Sequence, residues 1–212
     1  MRVLIAGASG GTGRAATLLA LSAGHTVTAV ARRPERLGLQ QPRLALVAAD
    51  ARDPGTMSAV VRGHDAVVST LGIGMRRHPT DVYSAGTRAI VAAMVEQGVS
   101  RLIVQSSSAL DPRPVAPSHA YRALMALLHR VLAAPYADMR AMEDIVTSSP
   151  LAWTLVRAAR LTDGGLTGQV RVGTDRGLPD AWSISRADCA RWMVDHLDAA
   201  PETHRAVISL AS

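Results

Sequence analysis

The sequence predicts an α/β fold, a single domain built on a doubly wound parallel sheet with helices on both faces. Two patterns predict it. Short apolar runs rich in β-branched residues recur along the 212-residue chain, and they are continuously apolar rather than alternating, as strands buried on both faces are. Helical patterns separate them, which gives the β-α-β-α rhythm of an open sheet.

The expected strands are residues 2–6 (RVLIA), 26–31 (TVTAVA), 44–48 (LALVA), 66–70 (AVVST), 101–106 (RLIVQS), 152–157 (AWTLVR) and 206–210 (AVISL). Helices are expected near 12–23, 54–62, 80–97, 120–133, 135–148 and 185–198. Ser185, three residues before Asp188, has the spacing of a capping box that opens the last helix. Pro135 suits a first helical turn, because its missing N–H would be unpaired there, so 120–148 reads as two helices hinged at Ala134-Pro135. Leu124, Leu127, Leu128, Val131 and Leu132 form an apolar stripe at helical spacing. The stripe suits a core-facing helix, a cover over a planar substrate or a dimer face.

Composition narrows the function classes. The chain is 48% hydrophobic and 19% charged, ordinary for a globular protein, and with no Phe its core must rest on Ala, Val, Leu, Ile and Met. The net charge is +6, and all 23 basic residues are arginine. They are spread along the chain with few aromatics between them, so no nucleic-acid partner is expected. The single cysteine, Cys189, excludes a disulfide framework, and the histidine spacings match no metal site. No apolar run reaches membrane-spanning length, and the N-terminal apolar run ends early in glycines. A cytoplasmic protein acting on a small molecule, as monomer or homodimer, is expected.

The motif with the most chemistry in it is GASGGTG at residues 7–13, directly after the first strand and opening the first helix. Gly7 permits the tight turn, Gly10 lets the backbone approach a pyrophosphate, and Gly13 lets helix and strand pack closely. The pyrophosphate then sits on unpaired N–H groups at the helix N-terminus, as in a Rossmann fold. At the end of the second strand stand Arg32 and Arg33, with Arg36 just beyond, where an NAD site would carry a carboxylate. A guanidinium suits a 2′-phosphate, so NADP(H) is expected over NAD(H). Asp50 ends the third strand within reach of an adenine amino group, and STLGIG (69–74) lets backbone lie close to the cofactor.

With these residues in place, the sequence resembles the atypical short-chain dehydrogenase/reductases of the NmrA-like, NAD(P)H-binding group, and is similar in layout to its flavin-reductase (biliverdin reductase B) members. The landmarks are GASGGTG, VARRPERL, GHDAVVSTLG (63–72), GTRAIVAAMVEQGVSRLIVQSSSAL (86–110), MEDIVTSSPLAWTLVRAARLTDG (142–164) and SISRADCARWM (183–193). The resemblance implies that Gly7, Ser9, Gly10, Gly11, Thr12 and Gly13 take the phosphates and that Arg32 and Arg36 hold the 2′-phosphate. It places Asp50 and Ala51 beside adenine, Leu71 and Gly72 under the cofactor, and Ser106 and Ser107 at the nicotinamide end. Arg160 stands where the flavin reductases have a histidine, and arginine cannot give up its proton at working pH.

The implied activity is hydride transfer from NADPH to a planar acceptor such as a flavin or quinone. Alternatives within the group are a non-catalytic redox sensor and a redox-neutral epimerase or dehydratase. The last would need Tyr136 as the acid with Arg140 as the cation four residues on, one helical turn away. Tyr121 has the spacing after Ser107 seen in ordinary short-chain dehydrogenases, but Met125 gives it no cation. Ser107, Tyr136, Arg140 and Arg160 are therefore the catalytic candidates. Met75, His78, Ser108 and Trp182 are the candidates for the substrate side, with Arg76 and Leu161 beside them.

Overall fold

The computed structural model describes residues 1–74, 77–111, 126–198 and 203–212. Its strands are β1 (Arg2–Ala6), β2 (Thr26–Ala31), β3 (Leu44–Ala48), β4 (Ala66–Ser69), β5 (Arg101–Ser107), β6 (Ala152–Ala158), β7 (Arg160–Thr162), β8 (Arg171–Thr174), β9 (Ser183–Ser185) and β10 (Ala206–Ala211). The helices used below are α1 (Gly11–Ser22), α2 (Pro54–Val61), α3 (Val82–Gln97), α4 (Ala133–Thr147) and α5 (Arg186–Asp195).

Eight strands form one sheet in the order β3-β2-β1-β4-β5-β6-β10-β8, and β7 pairs with β9 beside it. All neighbours in the large sheet are parallel except β8, which runs antiparallel along β10. The order reverses between β1 and β4, so the chain leaves a crevice outside their carboxyl ends. The fold is the expected doubly wound sheet. The three strands absent from the sequence reading, β7, β8 and β9, have three or four residues each, too short for a periodicity to register.

Alternation along β1 builds two cores. Val3 and Ile5 face a cluster with Ala16 of α1, Ile103, and Cys189 and Met193 of α5. Leu4 and Ala6 face another, with Met57 of α2, Ile90 and Met94 of α3, and Met142 of α4. Methionine fills irregular gaps that phenylalanine would otherwise take, and each large side chain buried here contributes about 1.5–3 kcal/mol. Cys189 is fully buried, and burial pushes its thiol up to about 12, which makes it a small hydrophobe.

Caps fix the helices that border the crevice. Asp53 accepts from Gly55 N at 3.1 Å to start α2. The N-terminus of α3 is capped from outside its own segment: Asp138 of α4 accepts from Tyr83 N at 2.9 Å and Ser84 N at 3.3 Å. Ser185 accepts from Asp188 N at 2.9 Å, as the spacing predicts. The Asp188 carboxylate in turn accepts from the Ser185 hydroxyl at 2.7 Å rather than from the cap's backbone N–H. It also accepts from Thr167 N at 2.9 Å, Thr167 Oγ1 at 2.8 Å and Gly168 N at 2.9 Å, and so ties the preceding loop to α5.

The hinge expected at Ala134-Pro135 lies instead at Leu132. Backbone bonds Leu132 N to Leu128 O and Tyr136 N to Leu132 O carry the chain through the turn, and Pro135 falls inside the first turn of α4. Of the expected stripe, Leu127 and Val131 are exposed, so no core covers them, and Leu124 lies outside the described residues. No described helix is long and apolar enough to cross a membrane.

Candidate functional site

A cleft of about 470 Å³ runs along the carboxyl ends of the parallel strands. Its floor at one end is the glycine turn. Gly7 takes a φ of +81°, and a Cβ there would lie 2.6 Å from Thr70 O, so both conformation and space demand glycine. Gly7 N and Ala8 N donate to Val30 O at 3.0 and 3.1 Å, which pins the turn to β2. Gly13 packs helix against strand: a Cβ there would meet Gly7 O at 2.4 Å and Thr70 Oγ1 at 2.6 Å. Gly10 is the N-cap of α1, no side chain caps that helix, and Ser9, Gly10, Gly11 and Thr12 line the cleft. Free amides and the helix dipole there suit an anion.

Next along the cleft come Ala31 and Arg32 at the end of β2, and Ala49 to Arg52 beyond β3. Asp50 lines the cleft with its carboxylate already engaged. Arg52 Nη2 reaches Asp50 Oδ2 at 2.7 Å and Arg52 Nε reaches Oδ1 at 3.1 Å, while Nη1 holds Asp81 at 2.8 Å. The Arg52 hydrogen bonds hold the Asp50 carboxyl down at about 2, and the two carboxylates raise Arg52. Arg32 is exposed and has no ion-pair partner among the described residues. Leu71, Gly72 and Val82 continue the wall, and a second recess of about 310 Å³ adjoins it between Arg32, Arg52 and Thr80.

The other end is made of side chains. Ser106 and Ser107 close β5, and Ala158, Ala159, Arg160 and Leu161 follow β6. Ser106 Oγ donates to Glu143 Oε1 at 2.6 Å, and Arg157 grips the same carboxylate through Nε at 3.0 Å and Nη2 at 2.6 Å. Asp111 stands 3.9 Å from Arg157. This buried network raises Arg157, chiefly through the Glu143 hydrogen bonds, and fixes α4 to the cleft floor. Ser107 Oγ accepts from Ala109 N at 3.3 Å and begins the turn after β5.

The sequence-predicted residues divide accordingly. Gly7, Ser9, Gly10, Gly11, Thr12, Arg32, Asp50, Ala51, Leu71, Gly72, Ser106, Ser107 and Arg160 line the cleft. Arg33 and Arg36 are exposed on the turn after β2 and do not line it. His78 lines the adjoining recess, with Nδ1 2.9 Å from Pro79 O. Ser108 and Trp182 lie outside the lining, and Trp182 is 56% exposed. Met75, Arg76, Tyr121 and Met125 lie outside the described residues.

Tyr136 and Arg140 are not brought to the cleft either. Asp138 and Glu143 orient α4 by bonding to α3 and Arg157, and this leaves Arg140 exposed. The Tyr136 ring leans on His129 with centroids 5.2 Å apart, and burial raises its phenol, the opposite of activation by a cation. The cleft-lining residue of that turn is Met139.

Among the lining residues that the sequence does not single out are Arg52, Tyr83, Gln105, Met139 and Arg186. Arg52 sat beside Asp50 in AADARD, and the i, i+2 acid–base pair was the available signal. Tyr83 is buried on α3, and burial raises its phenol against a backbone hydrogen bond at Ile73. Gln105 Oε1 is buried without a partner among the described residues. Nothing local marks these.

Known proteins share this fold. A short-chain dehydrogenase/reductase from Veillonella parvula, solved in complex with NADP, superimposes with a TM-score of 0.82 at 18% identity, over 100% of this chain and 94% of that one. ChuY, an anaerobillin reductase from Escherichia coli O157:H7, gives a TM-score of 0.74 at 24% identity over 100% and 97%. In sequence, an uncharacterized protein of Mycobacterium tuberculosis, Rv2047c, is 35% identical over 109 residues, which is 50% of this chain. The chain spans only 12% of the length of that protein. The family model described as NAD(P)H-binding matches residues 7–200, from the glycine turn past α5 and across every wall of the cleft. The crevice at the strand ends and a match of that length agree: the chain belongs to the NAD(P)H-binding family, on a Rossmann-type fold.

Proposed function

We propose that this protein is an NADPH-dependent reductase that passes hydride to a planar acceptor such as a flavin or quinone. The observation that carries the cofactor half is Arg32, a cleft-lining guanidinium with no ion-pair partner among the described residues. Asp50 feels its charge, yet is committed to Arg52, so the β2 end stays positive. A 2′-phosphate would find a bidentate partner there, and no carboxylate ends β2 to receive ribose hydroxyls instead. The left-handed Gly7 turn and the uncapped N-terminus of α1 fit the pyrophosphate of the same ligand.

The bound dinucleotide supplies hydride, and the chain supplies orientation and a dry site. Met139, Leu161 and Ala159 exclude water at the acceptor end, while Gln105, Ser107 and Arg160 offer polar atoms that set an acceptor's orientation. Tyr83 keeps its proton at working pH, and a flavin accepts hydride without a protein acid. This fits a reductase better than tyrosine–lysine chemistry, for which the cleft holds no lysine.

The test follows nicotinamide absorbance with NADPH or NADH against FMN, riboflavin and quinones. Oxidation of NADPH well above NADH is expected. Arg32→Gln should weaken NADPH binding about tenfold or more and leave NADH unchanged, from the loss of charged hydrogen bonds worth about 1.5–3 kcal/mol. Binding without oxidation would replace the reductase by a redox sensor, and absence of binding would sink the nucleotide reading.

A further inference from the structure

Arg186, one of the cations lining the cleft, belongs to neither the glycine turn nor the arginines of the β2 end. Its side chain crosses the phosphate turn: a Cβ placed on Gly11 would lie 2.5 Å from Arg186 Cδ and 3.0 Å from Nε. Gly11 has no left-handed φ, so its smallness here serves the arginine stem above it. Arg186 Nη1 is held by Asp163 Oδ1 at 2.5 Å. The Asp163 side chain is 92% exposed, against 32% for Arg186. An ion pair with one partner in open water contributes little.

The fold brings the pair to this spot. α5 packs along α1, which lands its first residue, Arg186, over the first turn of α1. Asp163 sits on the loop after β7, and Asp188 ties that loop to the first turn of α5 through Thr167 and Gly168. The arginine and its exposed carboxylate are thus carried by two segments fastened to each other, beside amides that no side chain caps.

Building on the dinucleotide reading, we propose that Arg186 is a pyrophosphate-binding residue that exchanges partners. Asp163 parks the guanidinium at the rim of the empty cleft, and the pyrophosphate draws it inward over Gly11. The exchange is favourable because charge-assisted bonds to phosphate oxygens in a water-poor cleft are stronger than a pair screened by solvent. Asp163 then acts as a competitor, and its strength sets how readily the dinucleotide leaves.

The contact is with the phosphates common to both dinucleotides, which separates Arg186 from Arg32. Arg186→Gln should weaken NADPH and NADH alike by about 10- to 100-fold, with their affinity ratio unchanged. Asp163→Asn should tighten both by up to about fivefold, as removal of an exposed pair allows. Both are read by titration calorimetry on protein whose thermal melt matches the wild type. Asp163→Asn is an independent arm should Arg186→Gln fold poorly. Wild-type affinity in Arg186→Gln, or unchanged affinity in Asp163→Asn, overturns the exchange. Loss confined to NADPH would move Arg186 to the 2′-phosphate and also overturn it. A wild-type protein that binds neither dinucleotide overturns the reading beneath it, and with it the inference.

Discussion

The two ends of the cleft are built from different materials. At the glycine-turn end the backbone does the work: a left-handed glycine and a helix with no side-chain cap. At the β5–β6 end the walls are side chains, held by the Ser106–Glu143–Arg157 network and the turn that Ser107 begins. A turn built from backbone keeps its shape through changes of charge and fails on changes of volume. A network of buried side chains does the reverse, since its packing survives an isosteric swap that its electrostatics do not.

This contrast can be broken by experiment. Glu143→Gln keeps the volume and strips the charge that faces Arg157, and breaking a buried pair costs about 3–5 kcal/mol. A value near the lower limit is expected, because Asp111 remains 3.9 Å from Arg157 to share its charge. Urea melts measure it, and the surviving folded fraction should bind dinucleotide as the wild type does. Gly13→Ala adds one methyl where a Cβ would meet Gly7 O at 2.4 Å. That overpacking costs about 1–3 kcal/mol and displaces the turn, so dinucleotide binding should fall more than stability does. If Glu143→Gln abolishes binding while Gly13→Ala leaves it intact, the contrast is wrong.

Smaller effects sharpen it. Tyr136→Phe should change the rate of NADPH oxidation less than twofold, on the order of the scatter of a surface substitution, because Tyr136 does not line the cleft. The Asp50–Arg52 pair gives a pH signature of known sign. The Asp50 carboxyl is depressed to about 2 in the fold, so its stabilising contribution is complete above the ordinary carboxylate range and is lost as pH falls through about 2. The stability difference between wild type and Asp50→Asn should therefore shrink steadily in acid melts. It will be small throughout, since both side chains are 39% exposed.

The same division governs what the sequence reveals. The glycine turn and Arg32 are legible because their geometry is local, set within a few residues of a strand end. Seven strands and the parallel topology follow from apolar runs, for the same reason. Gln105, Tyr83, Met139 and Arg186 reach the cleft only through tertiary packing, and no spacing in the chain encodes that α5 lies on α1. Tyr136 and Arg140 show the converse. Their helical spacing is sound, yet Asp138 and Glu143 decide which face of α4 the cleft meets. Arg33 and Arg36 were indistinguishable from Arg32 in sequence, and the turn at Pro34–Leu37 turned them outward.

The strand order also dictates a sequence in time. β1, β2, β3 and β4 all lie within the first 69 residues and pair among themselves, so these strands can join before later ones are synthesised, although one face of β1 awaits α5. β10, the last strand of the chain, is inserted between β6 and β8, and β8 has no other neighbour in the large sheet. Until β10 arrives, β6 presents an open edge and β8 cannot join. Such unpaired edges are where chains associate wrongly. The β6–β10–β8 edge is thus the last part of the sheet to be completed and the one most exposed to wrong pairing on the way.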